Sequence, residues 1–432
     1  MGRIGTVALT AGLLLLSMVP AGAWVPIQGR SLRHPPAATT ADPNSLHAGP
    51  APRAARRMAS RRARPTAREM LRPPTRDHGA RRSDGTPLLR IVPVLGGTAV
   101  AVDERTARVF VMCSSCGHGL ADRVSMLDAR SGAVLRTVRV GGSPQAIAVD
   151  TTAGHVFVAN QGGRSVSMLD ARSGAVLLTA PIAGDPTTLA VAEHAGRVFV
   201  TDANANNLSV LDARTGAVLR SFNLHGGPFT MAVAERAGRV FVGTLMGSSV
   251  SMLDARSGMV LRTVRVGIAP NALAVDEQSG RVFVTSGEIL DARTGAVLHT
   301  TQPDGLLLAV DPPTRRFFAT GDTNVDVLAI QSGAIVHSTT VDTAVASVPI
   351  VIDRAGRVAE LLESPVDSRT NATTGPGRLL VLDGYTAAVR RRITVGTVLS
   401  FGLYDMVAAD LRTNRVFALS DEGVFMFDTT RL

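Results

Sequence analysis

The chain has 432 residues, 45% hydrophobic and 4% aromatic, with 42 Gly and a formal net charge of +10. That length allows several average domains or one large repeat domain, with a core of Val, Leu and Ala rather than rings. The charge excess sits before residue 88: segment 24–87 holds 13 Arg and 4 acids, whereas 88–432 balances 31 Arg against 31 acids, and there is no Lys. A neutral, aromatic-poor body argues against single-stranded nucleic-acid binding by the main domain.

The N-terminus reads as an export signal over 1–23. Arg3 is the positive start, 4–19 is largely apolar, and Ala21-Gly22-Ala23 fits a small-residue cleavage site. The apolar run is short for a membrane span, with an uncleaved anchor as the alternative. No Cys follows it, which excludes a lipid-modified Cys there, and no other stretch is long enough to cross a bilayer. Residues 24–83 form an Arg- and Pro-rich linker with too few apolar residues to bury a core, and are expected to be disordered. Its run RAARRMASRRARPTAR (53–68) is either a contact for an anionic surface or a solvated linker.

From residue 84 the sequence repeats. LDAR-type elements place Asp at 128, 170, 212, 254 and 291, a degenerate Ala329, then Asp383 and Asp428; the first three steps are 42 residues each. Between them recurs an apolar-Ala-Val-Asp element followed by Gly-Arg-Val-Phe-Val, as in IAVDTTAGHVFVAN (147–160) and LAVAEHAGRVFVTD (189–202). Eight units result. Each reads as four short strands with turns every 8–12 residues; in the second unit these are about 145–149, 155–160, 165–169 and 175–182. The Ala-rich first strand suits a crowded axis. The Phe of the second strand (Phe157, Phe199, Phe241, Phe283) can fill the wedge between sheets, and the Arg-bearing fourth strand belongs at the rim. This predicts an all-β fold, a closed β-propeller over 84–432. The count gives eight blades. A truncated fifth unit and a stretched seventh leave seven as the alternative. The last unit lacks a fourth strand, and DGTPLLRIVPVLGG (84–97) aligns with SGAVLRTVRVGG (131–142), so strand 88–94 is expected to close the ring.

The phrases GHVFVAN (154–160) and GRVFVTD (196–202), joined to SVSMLDARSGAVLLTAPIAGDPTTLAV (165–191), resemble the YVTN family of β-propeller repeats over about 88–432. Phe stands in place of that family's Tyr in every clear copy. The WD dipeptide and the kelch Gly and Trp pattern are missing; Trp24 is the single Trp and precedes the repeats. The resemblance implies an exported or surface-displayed propeller. It implies no single activity, since relatives include binding proteins, lactonases, lyases and cofactor-dependent dehydrogenase subunits.

Residues repeated in every blade build the ring, and residues that break the repeat are site candidates. Asp128, Asp170, Asp212 and Asp254, with Gly132, Gly174, Gly216 and Gly258, read as turn residues: the Asp accepts nearby amide hydrogens and the Gly takes positive φ. Function is therefore sought on the opposite face, in second-to-third-strand loops and fourth-to-first-strand connections. ANQGGRS (159–165) offers Asn160 and Gln161, and TDANANN (201–207) offers Asp202, Asn204, Asn206 and Asn207. These could hydrogen-bond a polar ligand or hold a cation by oxygen, or could serve as turn formers. The twelve-residue Ca²⁺ loop pattern is absent, and neither a metal nor a cofactor is expected. The longest insertions are MCSSCGHGLADR (112–123) and ESPVDSRTNATTGPG (363–377); the second contains an Asn371-Ala372-Thr373 glycosylation pattern.

Cys113 and Cys116, the only cysteines, read as a local disulfide in an exported protein, with a redox dithiol or a metal site as alternatives. Of six His within the repeats, only His118 and His225 fall on the candidate face. The first functional reading is a non-enzymatic, monomeric scaffold at the cell envelope, binding an unknown protein or polar ligand around the central channel, with the basic tail available to anionic surfaces. The alternative is an enzyme of lactonase, lyase or quinoprotein type, for which the sequence offers scattered His118, Asp185, His225, Asp304 and Asp322.

Overall fold

The computed structural model describes residues 87–94, 96–114, 121–301, 307–311, 314–320, 324–341, 351–352, 358–363, 376–396 and 406–431, with a short strand at Thr10–Ala11. Apart from Thr10–Ala11, which pairs with Thr230–Met231, the expected signal and the whole linker lie outside the described residues. So do Cys116, His118, Asp304, Asp322 and Asn371.

The described chain is an all-β propeller with four-stranded blades. Each blade is an antiparallel meander, as the second shows in Pro144–Asp150, His155–Asn160, Ser165–Asp170 and Val176–Pro181. Alternation of Val, Phe and Ala with turn residues is what drives such short strands. Burial follows position in the blade. The second and third strands are buried almost throughout, as in Arg197–Asp202 and Asn207–Asp212, because both faces meet neighbouring sheets. The fourth strand is exposed along most of its length, as in Val218–Asn223. That is why Arg136, Arg220 and Arg262 are tolerated there: they stay exposed, and each guanidinium donates to a turn carbonyl of the next blade, Ser173, Ser257 and Thr294 respectively. Each rim strand also carries a register shift, for example at Val218, which makes an open edge a poorer template for further pairing.

The first strands of successive blades lie side by side, as Ala99–Asp103 and Pro144–Asp150 do, and Val407–Asp410 lies beside Ala99–Asp103. Among the described residues no backbone ladder joins one sheet to the next; side chains do. Phe157 and Met168 pack with Val198, Val200 and Leu211 of the following blade. Phe199 packs with Val240, Val242 and Leu253. The same contact joins the end of the chain to its start, where Phe417 and Met426 pack with Val109, Val111 and Leu127. Each fully buried Phe stabilises by roughly 1.5–3 kcal/mol through area removed from water. Leu88–Val92 pairs antiparallel with Gly423–Asp428, adding a fourth strand to the last sheet.

The LDAR turn is built as its sequence predicts. Asp128 Oδ1 accepts the amides of Arg130 at 3.2 Å and Ser131 at 2.9 Å, and Gly132 donates to Asp128 O at 2.8 Å with φ of 69°. A Cβ on Gly132 would sit 3.0 Å from Val92, so both its backbone angle and its surroundings favour glycine.

Candidate functional site

The favoured face is described at most of its predicted residues, and four of them, Asn160, Asp202, Asn206 and Asn207, use their side chains in bonds within the fold. Asn160 ends its strand fully buried, with Nδ2 donating to Ser167 Oγ at 2.9 Å and Ser165 Oγ at 3.2 Å. Gln161 is half-buried, and its amide donates to Ser143 O at 3.0 Å. Asp202, the equivalent of Asn160 one blade on, is 3% exposed. Its Oδ1 accepts the amides of Asn204 and Ala205, both at 2.9 Å, and its Oδ2 accepts that of Asp185 at 2.6 Å. One carboxylate thus caps its own loop and pins the incoming connection. The close approach needs Gly184, at φ of 94°, since a Cβ there would overlap the Asp202 carboxylate.

Asn206 adopts φ of 54°, accepts the Gly227 amide on Oδ1 at 2.6 Å, and accepts the Leu224 amide on its carbonyl at 2.7 Å. Asn207 Nδ2 donates to Ala183 O at 3.1 Å. Asp185 forms an ion pair with Arg164 at 2.9 Å. The side chains of Asp202, Asn206 and Asn207 therefore clamp two fourth-to-first-strand connections. Asn204 and His225 remain exposed on this face. Among the described residues, no three His, Cys, Asp or Glu side chains are grouped so as to hold a metal ion. Cys113 is buried and disulfide-bonded; Cys116 is outside the described residues.

Two residues of this face were not singled out by polarity. Met246 takes the loop position of Gly162 and Asn204 and is 85% exposed; Ile268 takes the connection position of Gly142 and Gly184 and is 63% exposed. Both break the repeat, which was the available signal. A search for polar and titratable groups passes over them.

The opposite face carries an acidic girdle. Glu193 accepts the Thr151 amide at 2.9 Å, Glu235 accepts that of Glu193 at 2.5 Å, and Glu277 accepts that of Glu235 at 2.6 Å, so each carboxylate reaches the preceding blade. Glu104 of the first blade does the same to Leu411 of the last. Burial pushes Glu235 and Asp150 above the ordinary carboxylate range. His155 and His194 also lie on this face, against Ala213 O and Glu235 respectively. Two adjoining cavities open here. One of about 310 Å³ is lined by Arg105, Arg108, Arg130 and Arg412, and one of about 350 Å³ is lined by Arg105, Arg108 and Arg172.

Comparison with known proteins bears on the fold. The profile of a family described as outer membrane protein assembly factor BamB matches residues 120–287. No curated protein sequence matches the chain. Among solved structures, BamB from Moraxella catarrhalis is similar at a TM-score of 0.56 and 14% identity, over 78% of this chain and 98% of that one. Dihydro-heme d1 dehydrogenase NirN, in complex with DHE, is similar at 0.56 and 14%, over 70% of this chain and 66% of that one, just under two thirds of its length. Sqt1 from Saccharomyces cerevisiae is similar at 0.62 and 11%, over 79% of this chain and 98% of that one. Among the described residues no helix is long and apolar enough to cross a membrane. These likenesses agree with the sheet topology in showing a β-propeller repeat protein.

Proposed function

We propose that the chain is an exported β-propeller of the YVTN type that works as a binding scaffold through its second-to-third-strand loop face. The observation that carries this reading is the division of labour on that face. Asn160, Asp202, Asn206 and Asn207 hold the loops rigid, while Met246 and Ile268 are held out in water. Exposed large apolar side chains on rigid loops suit a protein partner, with Asn204 and His225 as polar contacts.

The finer architecture belongs to the same reading. The ring is taken to hold eight blades closed by Leu88–Val92, which the repeat count and the pairing of that strand with Gly423–Asp428 support. Export rests on the apolar segment after Arg3 and on the match to a profile named for an outer-membrane assembly factor. The Cys113 disulfide is taken to close on Cys116, its one possible partner within the chain. The scaffold is taken as a monomer with an envelope partner, and its basic tail as a contact for anionic surfaces.

The test is retention of partners from envelope extract by immobilised protein. Met246→Asp with Ile268→Asp is expected to abolish retention, whereas Leu219→Asp on the rim leaves it intact. Equal retention by both variants overturns the face assignment. Saturable turnover of a lactone or a quinone-dependent substrate by the purified chain favours the enzyme alternative instead.

A further inference from the structure

We infer that the junction between the last and first blades holds an oxyanion, of the phosphate type, on the face opposite the proposed scaffold surface. The two sites are independent, so failure of one leaves the other standing.

Two stretches 307 residues apart are the origin of the site: Arg105-Thr106-Ala107-Arg108-Val109-Phe110 and Arg412-Thr413-Asn414-Arg415-Val416-Phe417. They occupy the same turn in the first and last blades. In the second to fifth blades the position of Arg105 is held by Thr152, His194, Arg236 and Gln278, and in none of them is it followed by Thr. Only the ring brings these two Arg-Thr turns together. Arg412 Nη1 donates to Glu104 O at 3.1 Å and to Arg105 O at 3.2 Å, which fixes one turn against the other.

The cavity between them, about 310 Å³, is of the size that takes a small ligand. Four guanidinium groups line it, those of Arg105, Arg108, Arg130 and Arg412, against two carboxylates, Glu104 and Asp128. Both carboxylates are already engaged. Glu104 accepts the Leu411 amide at 3.0 Å, and Asp128 pairs with Arg108 at 3.0 Å and holds its own turn. Positive charge is left over, and Arg105, Arg130 and Arg412 are exposed at the opening. Planar guanidinium forks are the side chains best matched to a phosphate or carboxylate oxygen pair.

A second, separate observation marks the wall. Thr413 Oγ1 is buried and has no hydrogen-bond partner among the described residues, although it lines the cavity. Its counterparts are satisfied: Thr106 Oγ1 donates to Asp103 at 2.5 Å and Thr314 Oγ1 to Asp311 at 2.5 Å. The matching acceptor of its own turn, Asp410 Oδ2, is also buried and without a partner, so the hydroxyl has two acceptors open to it, that carboxylate and an oxyanion in the cavity. Arg172 lines the adjoining space of about 350 Å³, where the remainder of a phosphate ester has room.

The experiment is isothermal titration of the full chain at fixed ionic strength with inorganic phosphate and, separately, with glucose 6-phosphate. Saturable binding of either is expected, and the tighter of the two tells whether the free anion or an ester is held. Arg105→Gln is expected to weaken binding at least tenfold, because it removes a guanidinium but none of the backbone carbonyls that hold the junction. Arg130→Gln is the second variant, and Arg214→Gln, at the same turn position two blades on, is expected to bind as the parent does. Absence of saturable binding, or an equal loss in Arg214→Gln, overturns the assignment.

Discussion

The carboxylate of Glu104 accepts the backbone amide of Leu411 at 3.0 Å, across 307 residues of sequence. It is one member of a series, since Glu193, Glu235 and Glu277 each hold the amide of the preceding blade in the same manner. What differs at Glu104 is that its partner lies at the other end of the chain. Glu104→Ala is expected to cost about 1–3 kcal/mol, as for a charged acceptor removed from a part-buried amide. Glu277→Ala, which acts between the fourth and fifth blades, should cost a similar amount. Urea unfolding of the two variants decides, and a silent Glu104→Ala beside a destabilised Glu277→Ala would mean that the last blade does not rest on the first.

The wedge residues give the largest expected effects. Phe199 is fully buried among Val240, Val242 and Leu253, and Phe199→Ala should destabilise by about 3–5 kcal/mol. Phe199→Tyr keeps the ring but places a hydroxyl in an apolar cluster. It is expected to cost about 1–3 kcal/mol, read as a fall in thermal midpoint.

Asp202 and Asn204 are two residues apart and should behave oppositely. Asp202→Ala leaves three backbone amides without their acceptor and is expected to raise hydrogen exchange at Asp185, Asn204 and Ala205. Asn204→Ala removes an exposed side chain and should leave both exchange and stability unchanged.

Acid should weaken the ring through its turns. The Ser257 amide holds the Asp254 carboxyl below its ordinary range against the pull of burial, helped by the Ser257 hydroxyl, the Arg256 amide and Arg239. At Asp383 burial is the largest single influence and acts upward. The Tyr385 amide, Arg390 and Thr386 outweigh it and bring the group down to about 2. A carboxylate whose folded value is depressed stabilises fully above its unfolded value, and that stability is lost as pH falls through the folded one. The loss is therefore expected between about pH 4 and pH 2. Asp254→Asn with Asp383→Asn should flatten it in a series of melts. Glu235 and Asp150, raised by burial, act with the opposite sign and offset part of the loss.

Much of this was legible because it is local. Asp128 and Gly132 lie four residues apart, so turn chemistry alone assigned them, and Phe199 recurs at a fixed step, so its wedge role followed from period. The roles of Asp202 and Asn206 were not legible. Each bonds a residue 17 or 21 positions away, and that register exists only after the sheet has formed. The composition of TDANANN allowed a polar ligand or turn formers; Asp202 and Asn206 accept backbone amides, and Asn207 donates to a backbone carbonyl. Arg105 and Arg412 were missed for a stronger reason, because nothing local relates two turns at opposite ends of a chain. Met246 and Ile268 were passed over because a search for polar chemistry does not stop at an apolar side chain.

Pro87 O accepts the Asp428 amide at 3.0 Å, and the ladder from Leu88 opposite Phe427 to Val92 opposite Val424 runs inward from that point. The polypeptide enters and leaves the propeller at one end of one strand pair. A force applied between the residues before Pro87 and those after Asp428 therefore loads these hydrogen bonds one at a time, as a zip, instead of shearing them together. The final sheet should peel at low tension while the other sheets, loaded only once that pair has parted, keep their shape.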